Sequence, residues 1–349
     1  MNPTDCVVLG ATGYVGGELL RLVAGHPELR LVAAVARQAP DTSISALFKH
    51  LGSVYPAERF IDFDTLLGSL PNGPLAVFSA LPHAQAAAQI SRVIGAYQGS
   101  DLHIVDASAD FRYAAADAFE AVYGQPHPAP ELLGQFARGV PEFVTHGDEL
   151  HASQPGCFAT AIQLAIVPLL SLGLTDRSFF ANGVTGSTGA GKTPIATTHM
   201  PERHANLFAY KPLAHRHAPE VVAQVASATS HTPTVHFVPH AGPFARGIHM
   251  TVMAASTSEH DDAKLHEMLH EFYAQAPFVA VVEDSPRLKQ VVGSNFARIS
   301  IARDDQALCV TVAIDNLVKG AAGGAVQWMN RLFGWPETHG LGATAIGWS

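Results

Sequence analysis

Three stretches carry residue types at spacings suited to chemistry. In Ser153-Gln154-Pro155-Gly156-Cys157-Phe158-Ala159-Thr160, Pro155 and Gly156 make a sharp turn, and the chain runs on into Ala161-Ile162-Gln163-Leu164-Ala165-Ile166-Val167, a buried-helix pattern. Cys157 then falls in the first turn of that helix, where unpaired N–H groups and the helix dipole favour a negative charge. A thiol so placed ionises below the ordinary ~8.5, and its thiolate is a nucleophile. The alternative for a free cysteine is an inert, buried thiol. The second stretch, His199 to Glu220, holds four histidines, including His215-Arg216-His217. Histidine titrates nearest neutral pH, so one of them can serve as general acid–base. A metal site from His215 and His217 lacks a third ligand of suitable spacing, and no metal is expected.

The third stretch is Gly10-Ala11-Thr12-Gly13-Tyr14-Val15-Gly16-Gly17, which follows the apolar run Cys6-Val7-Val8-Leu9 and precedes the helical pattern Glu18 to Val23. In a strand–turn–helix, the N–H groups at the helix start cradle a pyrophosphate, and Gly16 lets helix and strand pack closely. The spacing is G-x-x-G-x-x-G, so the context carries the dinucleotide reading more than the pattern does. The second strand, Leu31 to Val35, ends at Ala36-Arg37-Gln38 with no acidic residue before Asp41. Arg37 there suits a 2′-phosphate, which favours NADP over NAD.

Other motifs are weaker. Gly186-Ser187-Thr188-Gly189-Ala190-Gly191-Lys192-Thr193 spells a P-loop, but Pro194 and Pro201 deny it the long helix that a P-loop opens. A loop whose N–H groups touch a cofactor or substrate phosphate fits better. His266-Glu267-Met268-Leu269-His270 spells H-E-x-x-H, yet its histidines flank an apolar stripe of Leu265, Met268, Leu269, Phe272 and Tyr273, as on a surface helix.

The elements that must position these residues alternate between strands and helices. Leu75 to Phe78 runs into Ser79-Ala80-Leu81-Pro82-His83, and His103 to Val105 runs into Asp106-Ala107-Ser108-Ala109-Asp110-Phe111-Arg112. Both strand ends should face a cofactor crevice, with Arg112 pairing with an anionic substrate group or bridged to Asp106 or Asp110. Residues 113–150 read as a covering loop. Strands follow at Phe179–Val184, Val235–Pro239, Ile248–Met253, Phe296–Ile301 and Ala307–Ile314, with Cys309 in the core. Asp315-Asn316 caps a helix from Leu317 to Phe333 that packs back on the first domain.

The fold class is therefore α/β: a Rossmann-type doubly wound parallel sheet plus a second α+β domain with a mixed sheet. A formal charge of −9 argues against nucleic acid or an anionic membrane as partner. Cys6, Cys157 and Cys309 are few and far apart, which points to a reducing, cytoplasmic setting. The early first strand leaves no room for a leader, and no apolar run is long enough to span a bilayer.

Together these segments resemble the N-acetyl-γ-glutamyl-phosphate reductase family of arginine biosynthesis. The matching pieces are Gly10–Gly17, Ser79–His83, Asp106–Arg112, Pro155–Thr160, Gly186–Lys192, Tyr210–Glu220, Phe237–Ile248 and Asp315–Gly323, in the family's order. The resemblance implies an NADP-binding Rossmann domain over 1–155, completed by a C-terminal helix in 316–349, and a catalytic and oligomerisation domain over 156–315 of a homo-oligomer, dimer or tetramer. It implies a small-molecule acyl phosphate as substrate, attacked by Cys157 to leave a thioester that NADPH reduces, with His217, or His215 close behind, moving the proton. Gly10, Thr12, Gly13, Tyr14, Val15, Gly16, Arg37, Ser79, Leu81, Pro82, Gly189, Gly191, Lys192 and Asn316 would hold the cofactor, and Ser108, Arg112, Gln154 and Arg246 the substrate.

Ala159, Thr188 and Lys192 depart from the family's usual residues, so N-acetylglutamyl, N-succinylglutamyl and carrier-linked glutamyl or aminoadipyl phosphates all suit the chemistry. Aspartate-semialdehyde dehydrogenase is the nearest enzyme alternative, although Phe237-Val238-Pro239-His240 and Gly247-Ile248-His249 stand where its signature would be. A non-catalytic NADP-binding sensor is the alternative from another class, and a nucleotide-hydrolysing P-loop protein comes third.

Overall fold

The computed structural model describes residues 3–145 and 147–348; Met1, Asn2, His146 and Ser349, which the expected domain ranges include, lie outside the described residues. The chain forms two compact units: Met1–Arg138, Thr145–Gln154 and Ala322–Leu341 in the first, and Gly139–Val144, Pro155–Ala321 and Gly342–Ser349 in the second. Relative to the expected ranges, residues 139–144, 155, 316–321 and 342–348 sit in the second unit. Among the described residues no helix is long and apolar enough to cross a membrane.

The first unit is built on β1 (Thr4–Leu9), β2 (Leu29–Val35), β3 (Phe60–Ile61), β4 (Leu75–Ser79), β5 (Leu102–Asp106), β6 (Phe136–Arg138) and β7 (His151–Ser153). Their order is β3-β2-β1-β4-β5-β7-β6, and every pairing is parallel. Cys6–Leu9 and the whole of β4 are buried, as strands covered on both faces must be. The chain winds outward from β1 to β3 and returns to β4 on the other side of β1. That reversal opens a crevice at the carboxyl ends of β1 and β4.

Among the described residues, 113–145 and 147–150 carry more regular structure than the covering loop expected from the sequence. They contain the helix Ala116–Tyr123, a 3-10 turn at Pro130–Gln135, and β6, which pairs with β7. Three-residue strands are too short to show alternation, which is why the sequence does not announce them. The helix Gly323–Leu332 packs on β5 and β7 with Val326, Trp328 and Met329 fully buried, and Asn330 Oδ1 lies 2.8 Å from His26 Nε2.

The expected single helix from Leu317 to Phe333 is corrected. Val318–Ala322 form a π-turn, in which the Gly320 N–H donates to the Asp315 carbonyl at 3.0 Å, and the α-helix starts only at Gly323. Glycines 320, 323 and 324 weaken the α-helical preference there. Asp315 does cap the segment, its Oδ1 accepting the N–H groups of Leu317 and Val318 at 2.8 and 3.2 Å.

The second unit is built on β8 (Thr175–Thr185), β9 (Phe208–Ala209), β10 (Thr234–Ala241), β11 (Ile248–Ser256), β12 (Val279–Val281), β13 (Ala297–Arg303) and β14 (Ala307–Ile314), in the order β12-β13-β14-β11-β8-β10-β9. β8 with β10 and β12 with β13 are parallel, and the other pairs are antiparallel, so the sheet is mixed. Cys309 is half-buried rather than in the core, because it alternates with Leu308 and Val310 and faces away from the covering helices.

The helix Cys157–Ser171 lies on this sheet with Phe158 through Leu170 buried. It is apolar all round, as a helix enclosed on every side should be. Pro168 sits inside it and has no N–H to donate to the Leu164 carbonyl. The Tyr273 hydroxyl, fully enclosed, donates to that carbonyl at 2.5 Å instead, and so the kink-prone turn keeps its hydrogen bond.

Candidate active site

In the first unit the glycine turn is built for close backbone approach. Gly10 has a φ of +72°, and a β-carbon on it would lie 2.6 Å from the Ala80 carbonyl oxygen. A β-carbon on Gly16 would lie 2.5 Å from the Gly10 carbonyl oxygen, so the helix Tyr14–Ala24 rests directly on the turn. Gly13 is the N-cap, with no side-chain cap and no acidic residue in the first turn. Such a helix start presents N–H groups and the positive dipole end to an anion. Thr12 and Val15 are half-buried, and Tyr14 and Arg37 are exposed, Arg37 two residues past the end of β2.

The Ser79–Pro82 loop joins this turn, since the Ala80 N–H donates to the Leu9 carbonyl at 2.9 Å. Ser79 is buried at the end of β4, Leu81 half-buried and Pro82 exposed. Ala84 beyond it holds a φ of +65°, and its N–H is fixed by Asp110 Oδ1 at 2.6 Å, while Oδ2 caps Ala87 at 2.9 Å. The expected substrate residues Ser108, Arg112 and Gln154 are all buried. Ser108 Oγ donates to Asp106 Oδ2 at 2.6 Å, and Arg112 donates from Nε to the Gln154 carbonyl and from Nη2 to the Ala107 carbonyl, each at 3.1 Å. Burial, then the Asp110 charge, pushes the Asp106 carboxyl up to about 6.

In the second unit Cys157 is the first residue of its helix, half-buried, with Gly156 as N-cap. His217 likewise opens the helix His217–Thr229 and is buried. A β-carbon on Gly156 would sit 2.3 Å from His217 Nε2, so the imidazole lies flush against the turn that presents the sulfur. On the next turn of the His217 helix, Glu220 is fully buried and accepts the Gly156 N–H at 2.8 Å. A carboxylate thus holds the N-cap of the cysteine helix. Tyr210 faces the same place: burial, then the Cys157 sulfur, pushes its hydroxyl above the ordinary range. His215 is half-buried beside Phe158 and His217. His199 and His204 are exposed or nearly so, and among the described residues no three His, Cys, Asp or Glu side chains converge as a ligand set.

The far side of the cysteine is walled by backbone. A β-carbon on Gly320 would lie 2.8 Å from the Cys157 β-carbon, so the π-turn brings a glycine against the nucleophile's base. Next to it, Lys319 is fully buried and pairs with buried Glu142 at 2.5 Å. Asn316 is buried; its Oδ1 accepts the Gly247 N–H at 2.7 Å and its Nδ2 donates to Thr188 Oγ1 at 3.0 Å. It therefore ties the second glycine loop to the Arg246 turn. Arg246 Nε donates to buried Asp315 at 3.0 Å. Gly189, Gly191 and Lys192 are exposed in that loop, which forms a 3-10 turn at Ser187–Ala190 instead of opening a long helix.

The structure thus gathers Cys157, His217 and His215 in the second unit along with Asn316, Arg246 and the glycine loop, and gathers the remaining expected cofactor and substrate residues in the first. Glu220, Gly320 and the Lys319–Glu142 pair were not expected. Only the Pro219-Glu220 step after His217 hinted at a helix-start carboxylate, and nothing local points to its partner.

Residues 5–136 match the family model described as the semialdehyde dehydrogenase NAD binding domain, and residues 157–316 the semialdehyde dehydrogenase dimerisation domain. Solved structures agree on the fold. Aspartate semialdehyde dehydrogenase II from Vibrio cholerae superposes with a TM-score of 0.71 at 13% identity, over 95% of this chain and 99% of its own. The aspartate semialdehyde dehydrogenase with NADP from Candida albicans superposes with 0.66 at 14%, over the same shares. Fold and matched models are those of the semialdehyde dehydrogenases, oxidoreductases with a nicotinamide-binding unit.

Within that class the resemblance is sharper. N-acetyl-γ-glutamyl-phosphate reductase from Methanopyrus kandleri is 37% identical over 96% of both chains. That from Alkalilimnicola ehrlichii is 37% identical over 97% of this chain and 98% of its own. The chain belongs to the N-acetyl-γ-glutamyl-phosphate reductase family.

Proposed function

We propose that this protein reduces an N-acyl-γ-glutamyl phosphate, N-acetyl being the acyl group of its relatives' substrate, to the N-acyl-glutamate semialdehyde and phosphate in arginine biosynthesis. The observation that carries the reading is the seat of His217 against Gly156, one residue from Cys157 at a helix N-terminus. His217 takes the thiol proton, and the sulfur attacks the acyl carbon, forming the C–S bond as the bond to phosphate breaks and the departing phosphate takes up a proton from solvent. NADPH, when bound, supplies the hydride that reduces the resulting thioester. His217 then donates its proton as the C–S bond breaks, and thiol and aldehyde part. Helix-start N–H groups and Gly320 hold the sulfur's base in place throughout.

The first unit, as NADP domain, fits the cofactor: Gly10 and Gly16 leave no room for side chains, and the Gly13 helix start can take a pyrophosphate. Arg37, with no carboxylate at the end of β2, favours the 2′-phosphate of NADP, the cofactor in the Candida albicans neighbour. The second unit is read as the catalytic and oligomerisation domain of a cytoplasmic homo-oligomer. Its sheet exposes Phe180 and Met253 on one face, which suits a second copy, and Cys6, Cys157 and Cys309 are not joined in disulfides.

Phosphate-dependent NADP reduction with a panel of semialdehydes tests the proposal. N-acetylglutamate semialdehyde should be the preferred member, ahead of the N-succinyl analogue and aspartate semialdehyde. No turnover of any member, or preference for aspartate semialdehyde, overturns it.

A further inference from the structure

The helix that carries His217 begins without a side-chain cap from its N-cap residue, Arg216. The cap comes instead from one residue further upstream: His215 Nδ1 accepts the main-chain N–H of His217 at 3.2 Å. The His215 carbonyl takes the next one, from Ala218, at 3.0 Å. An imidazole that accepts through Nδ1 carries its remaining proton on Nε2, an assignment made from the donor geometry.

The ring that makes this bond is held on four sides. It meets Phe158, Tyr210, His217 and Phe237 edge to face, with centroids 5.8, 5.8, 4.7 and 5.4 Å away. Phe158 follows the nucleophile directly, so the same ring that caps the His217 helix also braces the cysteine helix. Burial first, then the Arg216 and Lys211 charges, push His215 down to about 4. At neutral pH it is therefore an uncharged ring whose Nδ1 lone pair is already engaged. Protonating Nδ1 would break the cap, so this nitrogen is poorly suited to take the thiol proton.

We propose that His215 is a positioning residue: by capping the His217 helix through Nδ1, it fixes the imidazole of His217 against Gly156 beside Cys157. The proposal rests on the reading of Cys157 and His217 as the reacting pair. It separates two histidines that lie two residues apart and that the sequence ranks only narrowly: one moves the proton, and the other holds the first in place.

The test uses the full chain and two substitutions. His215→Phe keeps the ring packing and removes the acceptor, whereas His215→Asn offers its side-chain oxygen near the place of Nδ1. Three quantities are read: kcat against pH with N-acetylglutamate semialdehyde and phosphate, the rate of Cys157 alkylation by iodoacetamide against pH, and NADPH affinity. We expect His215→Phe to lower kcat by roughly 30- to 100-fold, the scale of a small misplacement of a reacting group. It should also shift the pH dependence of alkylation while leaving NADPH affinity within twofold. His215→Asn should recover kcat to within about fivefold of wild type, with a wild-type pH dependence.

Two results overturn the proposal. One is a wild-type rate and pH profile for His215→Phe. The other is His215→Asn as inactive as His215→Phe with NADPH affinity intact, which would make His215 the proton carrier. Cys157→Ala in the same assay keeps the two readings apart: if it still turns over, the covalent mechanism is wrong whatever His215 does. If it is dead and His215→Phe is normal, only the positioning role falls.

Discussion

The imidazole of His217 occupies space that a β-carbon on Gly156 would claim, 2.3 Å from its Nε2. Glycine at 156 is thus a requirement of the histidine rather than of the turn, whose φ of −63° any residue could adopt. Gly156→Ala should displace His217 and lower kcat by about 100-fold, with NADPH affinity unchanged. Steady-state kinetics beside a cofactor titration checks this, and a fall of less than fivefold counts against the contact.

Cys157→Ala should abolish turnover, by on the order of 10⁴-fold or more, while NADPH still binds to the glycine turn of the first unit. Activity within tenfold of wild type would remove the thioester from the mechanism.

Arg37 stands exposed just past β2 with no carboxylate beside it in sequence. If it pairs with the 2′-phosphate, Arg37→Ala should weaken NADPH by roughly 10- to 100-fold and leave NADH nearly unchanged, the difference one charge-assisted contact makes. Equal losses for both cofactors would take Arg37 out of that role.

Gly320 meets Cys157 from the π-turn, and an added β-carbon would lie 2.8 Å from that of the cysteine. Gly320→Ala should cost about 1–3 kcal/mol of stability by overpacking. It should lower both kcat and the alkylation rate of Cys157 more than tenfold, because the atom that must move carries the sulfur. Unchanged alkylation kinetics would show that the wall gives way instead.

His151 is buried beside Phe136, and burial pushes it down to about 4 from an ordinary 6.5. The unfolded chain then binds more protons than the folded one between those values, so this contribution to stability is lost as pH falls from about 6.5 to about 4. Its size is on the order of 3 kcal/mol. Asp106, pushed up to about 6, acts in the opposite direction over much of the same range. The difference between wild type and His151→Phe removes the Asp106 part. Thermal midpoints across pH 4–7 should show wild type losing more than the variant, and parallel curves would refute the assignment.

What the sequence disclosed is what local spacing can encode. Gly10, Gly13 and Gly16 each had a backbone reason within seven residues, and the Pro155-Gly156 turn placed Cys157 at the start of its helix, where the structure has it. The contacts that hold the site are not local. Glu220 reaches the Gly156 N–H across 64 residues, and Lys319 finds Glu142 across 177. Composition cannot announce such pairs. The π-turn was hidden for another reason: Val318 to Ala322 fits a helical stripe equally well, and the wider turn shows only in the Gly320–Asp315 hydrogen bond.

The first unit draws its sheet from the early chain but its covering helix, Gly323–Leu332, from the end. All of Pro155–Ala321 is translated in between. On the ribosome, therefore, the sheet of the first unit must wait with β5 and β7 uncovered until nearly the whole chain has been made. A premature stop inside that helix or just before it would leave intact the sequence of the nucleophile's own helix and sheet while stripping the nucleotide half of its back wall.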